Sequence, residues 1–305
     1  MTTLLFNVFG PVLLPLVMIA GAAYGLGRAR KVNPSPIAQV AFYLFNPSLV
    51  FVALAGTTFP PEMLGRLALL KIVVYLAMLA LARLVADRLR LAPPLASAFA
   101  LVVVSANSGN LGLPMNEYAF GASGLALAVI CYVTDNLAVN SVGVYLAARG
   151  HANGRQALRE VLGNPALYAA PLGILANQVG WSPPLFLARA LELLSRAAVP
   201  TMLVVLGMQL AALPLKRQHW RLMGLACALR LLAAPAVAMG LAPLLGLEGL
   251  ARQVGVLQNA VPSAVMTSIL AGRYDTEPNL VAGSILISSL ASLVTLTALL
   301  YWMLR

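Results

Sequence analysis

Residues Ser105–Gly121 read SANSGNLGLPMNEYAFG, with apolar sequence on both sides. Upstream lies LASAFALVVV, Leu95–Val104, and downstream LALAVICYV begins at Leu125. That context belongs inside a bilayer, yet the stretch gathers Gly109, Gly112 and Pro114 among Asn107, Asn110 and Asn116. A proline inside a helix removes one backbone hydrogen bond and clashes with the preceding turn. In hydrocarbon, every backbone group so freed must find a partner in protein or in a water-filled cavity. The stretch therefore predicts a membrane helix interrupted at mid-depth around Pro114, with a protein-lined cavity beside it.

The rest of the chain supports a membrane setting. Of its 305 residues 61% are hydrophobic and only 10% are charged, against about 25% charged in ordinary soluble proteins. Apolar runs of the roughly 20 residues needed to cross a bilayer recur along the chain. They predict an all-helical membrane protein with spans at 5–26, 37–56, 64–86, 95–119, 122–148, 163–180, 185–210, 219–246, 250–272 and 279–303. The breaks between them, such as TTFPPE, DRLRLAPP, GWSPP and GRYDTEP, carry the proline, glycine and charge that end helices. The first run lacks a basic leader and a small-residue cleavage pattern, so it reads as a span and not as a signal peptide. Cys131 and Cys227 lie far apart in apolar runs and read as buried free thiols.

The net charge of +11 does not point to nucleic acid, because the basic residues concentrate in short connections. Arg28, Arg30, Lys31, Arg83, Arg88, Arg90, Arg149, Arg155, Arg159, Lys216, Arg217, Arg221 and Arg273 fall in alternate connections. Arg66, Lys71, Arg252 and Arg305 form the smaller opposing set. The positive-inside rule then predicts the first set in the cytoplasm and both termini outside. Dividing the spans at the basic loop gives halves of five, 1–150 and 151–305. An odd number of spans puts the second half in the membrane upside down. Each half carries a proline in its second span, Pro47 after Asn46 and Pro200 after Val199, and another in its fourth, Pro114 and Pro262. Interrupted helices at matched positions of inverted halves are the pattern of secondary transporters.

The candidate site follows from that pairing. Each break creates a half-helix N-terminus with roughly half a positive charge, and two of them facing one another suit an anion. Asn46, Asn110, Pro114, Asn116, Asn259, Pro262 and Ser263 are the candidate substrate-binding residues, flanking the prolines. Asp135, in CYVTDNLAVNSVG, is an intramembrane carboxylate, and such groups face a cavity or a partner. With Asn136 and Gln258 it forms the candidate ion-coupling set, and Arg230 is its candidate ion-pair partner. The spacing of Arg189, Glu192 and Arg196 predicts local pairing, and GAAYG, Gly21–Gly25, predicts close helix packing. HExxH, GxSxG and nucleotide-binding motifs are missing from the sequence, and His151 and His219 fall in connections. Neither an enzyme nor a metal or other cofactor is expected.

SANSGNLGLP, LQNAVPSAVMTSILAGRYD and FNPSLVF, within the ten-span layout, resemble the auxin efflux carrier family and its bacterial permeases, related in fold to sodium–bile acid symporters. The resemblance implies two inverted five-helix repeats in which spans four and nine break and cross. It also implies a scaffold of spans 1, 2, 6 and 7 that dimerises, and a moving unit of spans 3–5 and 8–10. By resemblance the cargo is a small organic anion, auxin-like or malate- or malonate-like, carried across a bacterial cytoplasmic membrane. A proton or sodium gradient or the membrane potential drives it. The alternatives are a sodium-coupled symporter of bile-acid type and a non-transporting membrane sensor. The connection Gly150–Leu162 is far shorter than the long cytosolic loop of the plant members, which disfavours their loop-based regulation.

Overall fold

The computed structural model describes residues 9–148, 158–159, 161–214 and 219–303. The predicted start of the first span, most of the basic loop Arg149–Arg159, Lys216, Arg217 and Arg305 lie outside the described residues. Within them the fold is all helix: α1 Gly10–Arg30, α2 Ser35–Ala55, α3 Pro61–Arg88, α4 Pro93–Val104, α5 Ser108–Ala147, α6 Pro165–Gln178, α7 Leu185–Ala212, α8 Trp220–Leu244, α9 Gly249–Ala260, α10 Met266–Arg273 and α11 Pro278–Met303. Seven of these, α1, α2, α3, α5, α7, α8 and α11, are each long and apolar enough to cross a membrane. Proline opens many of them, at the first helical turn where its missing N–H has no intrahelical partner to lose.

Helix α5 is 40 residues long. At about 1.5 Å per residue it would measure roughly 60 Å if straight, twice the ~30 Å hydrocarbon core. It is not straight: Gly121 sits at φ 67° and ψ −159°, outside helical geometry. A side chain at the neighbouring Gly124 would meet the Asn116 carbonyl at 2.8 Å, so the chain is tightly folded there. Gly121 thus falls at the predicted boundary between spans ending at 119 and starting at 122.

The other prolines behave differently from expectation. Helix α2 continues through Pro47 by way of a π turn at Ala41–Phe45, and α7 runs on with Pro200 inside it. A π turn shifts the hydrogen-bond register by one residue and so accommodates a position with no donor. Neither proline breaks its helix.

Two packing groups are evident. In one, α7 lies along α1 and α2, and α6 lies along α2. The α1–α7 contact is so close that a side chain on Gly207 would fall 2.1 Å from the Ala20 carbonyl, and Gly27 sits against Ala211. The expected packing glycines Gly21 and Gly25 instead have open space around them; Ala20, Ala23 and Gly27 make the contact. Asn177 Nδ2 fixes α6 to the end of α2 by donating to the Ala55 and Thr57 carbonyls at 2.9 and 2.8 Å. In the other group, α3 packs on α4, α5 and α8, and α11 on α4 and α8. On the exposed face of α7, Glu192 and Arg196 pair as their spacing predicts.

Candidate functional site: a crossing of two broken helices beside a cavity

The chain breaks twice at depth, between α4 and α5 and between α9 and α10, and the two breaks meet. The Asn107 N–H donates to the Pro262 carbonyl at 2.8 Å and the Ala264 N–H to the Ser105 carbonyl at 3.0 Å. Ala106 and Ser263 form an isolated antiparallel bridge. Each break thus supplies the hydrogen bonds that the other lacks, as an interruption inside a membrane requires. Ser263 Oγ adds a bond to the Val102 carbonyl at 3.0 Å, and the Ser263 N–H donates to Ser288 Oγ at 3.3 Å.

The second break falls at Pro262 as expected. The first does not fall at Pro114. It spans Ser105–Asn107, about two turns upstream. Pro114 lies in the opening turn of the following α-helix, which the chain enters through a π turn at Ser108–Gly112. The Gly112 N–H closes that turn on the Asn107 carbonyl at 3.0 Å. Gly112 leaves room for the buried Gln258 amide, whose Oε1 would lie 2.4 Å from a side chain placed there.

A cavity of about 1740 Å³ adjoins the crossing. The starts of both second half-helices open into it, Ala106–Asn110 on one side and Ala264–Met266 on the other. Of the candidate residues, Asn46, Asn110, Asp135 and Asn136 line it. Pro114, Asn116, Gln258, Asn259, Pro262 and Ser263 do not; they are packed behind the lining, and Asn116, Gln258 and Ser263 are fully buried. Asn116 Nδ2 returns to the Gly112 carbonyl at 2.8 Å, and Asn259 Nδ2 to the Gly255 carbonyl at 2.9 Å. The lining also includes Asn107, Tyr132, Asn140, Gln209, Arg159 and Arg273. Tyr132 OH accepts from Asn46 Nδ2 at 3.1 Å, and Gln209 Oε1 from Asn110 Nδ2 at 3.4 Å. Two side-chain hydrogen bonds thereby join α5 to α2 and to α7. Tyr132 and Gln209 were not among the expected residues; Gln209 was legible as a lone amide ten residues into a largely apolar run from Val199.

The charges are arranged otherwise than expected. Asp135 does not pair with Arg230. Its Oδ2 lies 2.9 Å from Lys71 Nζ, with the two side chains 7% and 2% exposed. Lys71 is therefore not in a connection: it lies in the third turn of α3, and its ammonium also donates to Asn259 Oδ1 at 3.0 Å and to the Gln258 carbonyl at 3.4 Å. Arg230 directs its donors elsewhere. Nε reaches the Val261 carbonyl at 3.1 Å, Nη1 those of Val103 and Val104 at 3.3 and 3.5 Å, and Nη2 that of Asn259. Those four carbonyls lie at the C-terminal ends of α4 and α9. No group of three or more His, Cys, Asp or Glu positioned for a metal occurs among the described residues.

A helical membrane protein with crossed broken helices and, at the crossing, a cavity that carries several amide side chains belongs to the class of membrane carriers. The sequence agrees: the family described as membrane transport protein matches residues 8–300, and the chain belongs to it, the family of the auxin efflux carriers. It is 28% identical over 302 residues to an uncharacterised transporter of Methanocaldococcus jannaschii, covering 96% of this chain and 97% of that one. It is 28% identical over 204 residues to a Rhizobium meliloti protein named "Putative malonate transporter", covering 64% and 63%. It is 27% identical over 140 residues to the rice "Probable auxin efflux carrier component 1b", covering 44% of this chain and 25% of that one.

Proposed function

We propose that this transporter carries a small organic anion by alternating access at the helix crossing, in a bacterial cytoplasmic membrane. The observation that carries the reading is the opening of both second half-helix starts into one cavity. The first N–H groups of a helix have no intrahelical partner, and the dipole there favours a carboxylate. Asn110 and Asn46 then orient the anion, while Asn116, Asn259, Pro262 and Ser263 hold the breaks in shape.

Ten spans complete the layout. The folded α5 counts as parts of two, and α4 with the start of α5, and α9 with α10, make the two broken ones. The reading is of two inverted repeats, 1–150 and 151–305, with α1, α2, α6 and α7 as a dimerising scaffold and the remaining helices as the moving unit. The close α1–α7 and α2–α6 packing supports that division. Arg159 and Arg273, which the positive-inside rule assigns to the cytoplasmic side, line the cavity, which supports its opening to that side. Lys71 already balances Asp135, which favours movement of the anion along the membrane potential over sodium coupling. Exit of one negative charge from a negative-inside cell is favoured by about 2.3 kcal/mol per 100 mV.

The Rhizobium and rice relatives put malonate and indole-3-acetate first among probes. In proteoliposomes with an imposed potential, wild-type protein takes up one of them, and Asn110→Ala lowers the rate at least about tenfold at equal incorporation. Wild-type flux in Asn110→Ala overturns the site. Saturable binding with no flux in the wild type overturns transport in favour of a sensor, and a strict sodium requirement favours a symporter.

A further inference from the structure

We infer that Arg230 sets the charge preference of the carrier, acting from behind the site on both broken helices at once. This rests on the reading of the cargo as an anion. Each broken helix brings two ends to the crossing, and they have opposite signs: the C-terminal end of the first half is negative and the N-terminal end of the second half is positive. Four such ends in one place nearly cancel, so a bare crossing has little preference for the sign of a ligand. Arg230 removes that symmetry. Its guanidinium spans the two negative ends, bonding the Val103 and Val104 carbonyls of α4 and the Asn259 and Val261 carbonyls of α9. The positive ends at Ser108 and Met266 are left facing the cavity.

The charge is not balanced locally. Arg230 is 2% exposed, and among the described residues no carboxylate lies in ion-pair range of it. The nearby carboxylate, Asp135, is taken by Lys71, so that pair is neutral. The crossing thus holds one surplus positive charge in a medium where screening by salt is weak. An arginine suits this place better than a lysine, because its planar fork presents five N–H donors and stays protonated. It is a positioning residue that touches the backbone of the site and not the cargo.

The test compares malonate with its monomethyl ester, two ligands of similar size that differ by one charge, in proteoliposomes of wild type, Arg230→Gln and Arg230→Lys. Wild type prefers the dianion. In Arg230→Gln the KM for malonate rises on the order of tenfold more than that for the ester. Arg230→Lys keeps the charge and loses the fork, so it keeps the preference with a lower kcat. Equal KM changes for both ligands in Arg230→Gln, or no change, overturn the inference and leave the carrier reading intact. If Arg230→Gln does not fold, the Lys variant decides, since loss of the dianion preference there overturns it equally. A wild type that moves neither ligand removes the anion reading and this inference with it.

Discussion

Lys71 shows how one residue changes the electrostatics of the site. A buried ion pair is weak evidence of stability, because desolvating both charges opposes their attraction, but removing one partner strands the other. Asp135→Asn leaves the Lys71 ammonium without its counter-charge, and we expect a loss of about 3–5 kcal/mol, read as a lower unfolding temperature in detergent. The double variant Lys71→Met/Asp135→Leu is expected to be much closer to wild type. If it unfolds as early as Asp135→Asn, the pair is not the source of the effect. The sequence marked Asp135 as a buried carboxylate but hid its partner. Lys71 sits near the edge of an apolar run, and whether it counts as loop or membrane depends on where α3 begins. The helix starts at Pro61, not at 64, and that places Lys71 three residues further from the helix end than the composition suggests. Arg230 misled for the opposite reason: it is central in its run and looks in need of an acid, yet backbone carbonyls satisfy it.

Among the elements, apolar run length marked the seven helices long enough to cross a membrane, whereas the predicted spans 95–119, 163–180 and 250–272 meet shorter helices, α4, α6, α9 and α10, and the folds and breaks were not plain. Pro114 announced an interruption correctly in kind and wrongly in place. A proline fits the first turn of a helix better than it fits a gap, so it marks where the second half-helix resumes. Ser105–Asn107, the actual break, contains nothing but small polar residues and alanine, and only its pairing partner at Pro262–Ala264 fixes it. Contacts between helices were equally hidden, since GAAYG advertised one face and the packing uses the next. The α1–α7 contact gives a sharp expectation. Gly207→Ala puts a methyl against the Ala20 backbone, which cannot rotate away, so the two helices must part. A loss of about 1–3 kcal/mol in thermal unfolding is expected. The same change at Gly21, with open space around it, is expected to have almost no effect.

For the whole molecule, the cavity and the orientation make a joint prediction. Ser268 lines the cavity and is partly accessible, whereas the native Cys131 and Cys227 are both buried. Ser268→Cys should therefore react with a membrane-impermeant maleimide added on the side of the basic loops, and saturating cargo should slow the reaction. Faster labelling from the opposite face contradicts the orientation. That orientation rests on the charge asymmetry between connections, and the labelling tests it. The polar lining was only half legible, because a cavity draws residues from α2, α5 and α7 that are distant in sequence and individually unremarkable.

The hydrogen bonds between the two breaks also have a consequence in time. Ser263 meets Val102 across 161 residues of chain. A ribosome adding 5–20 residues per second takes roughly 8–30 s to cover that distance. Throughout that interval the Asn107 N–H and the Ser105 carbonyl lack the partners they have in the finished fold. The amino-terminal half on its own is therefore an unfinished object, one that depends on the insertion machinery, lipid headgroups or water until its complement arrives.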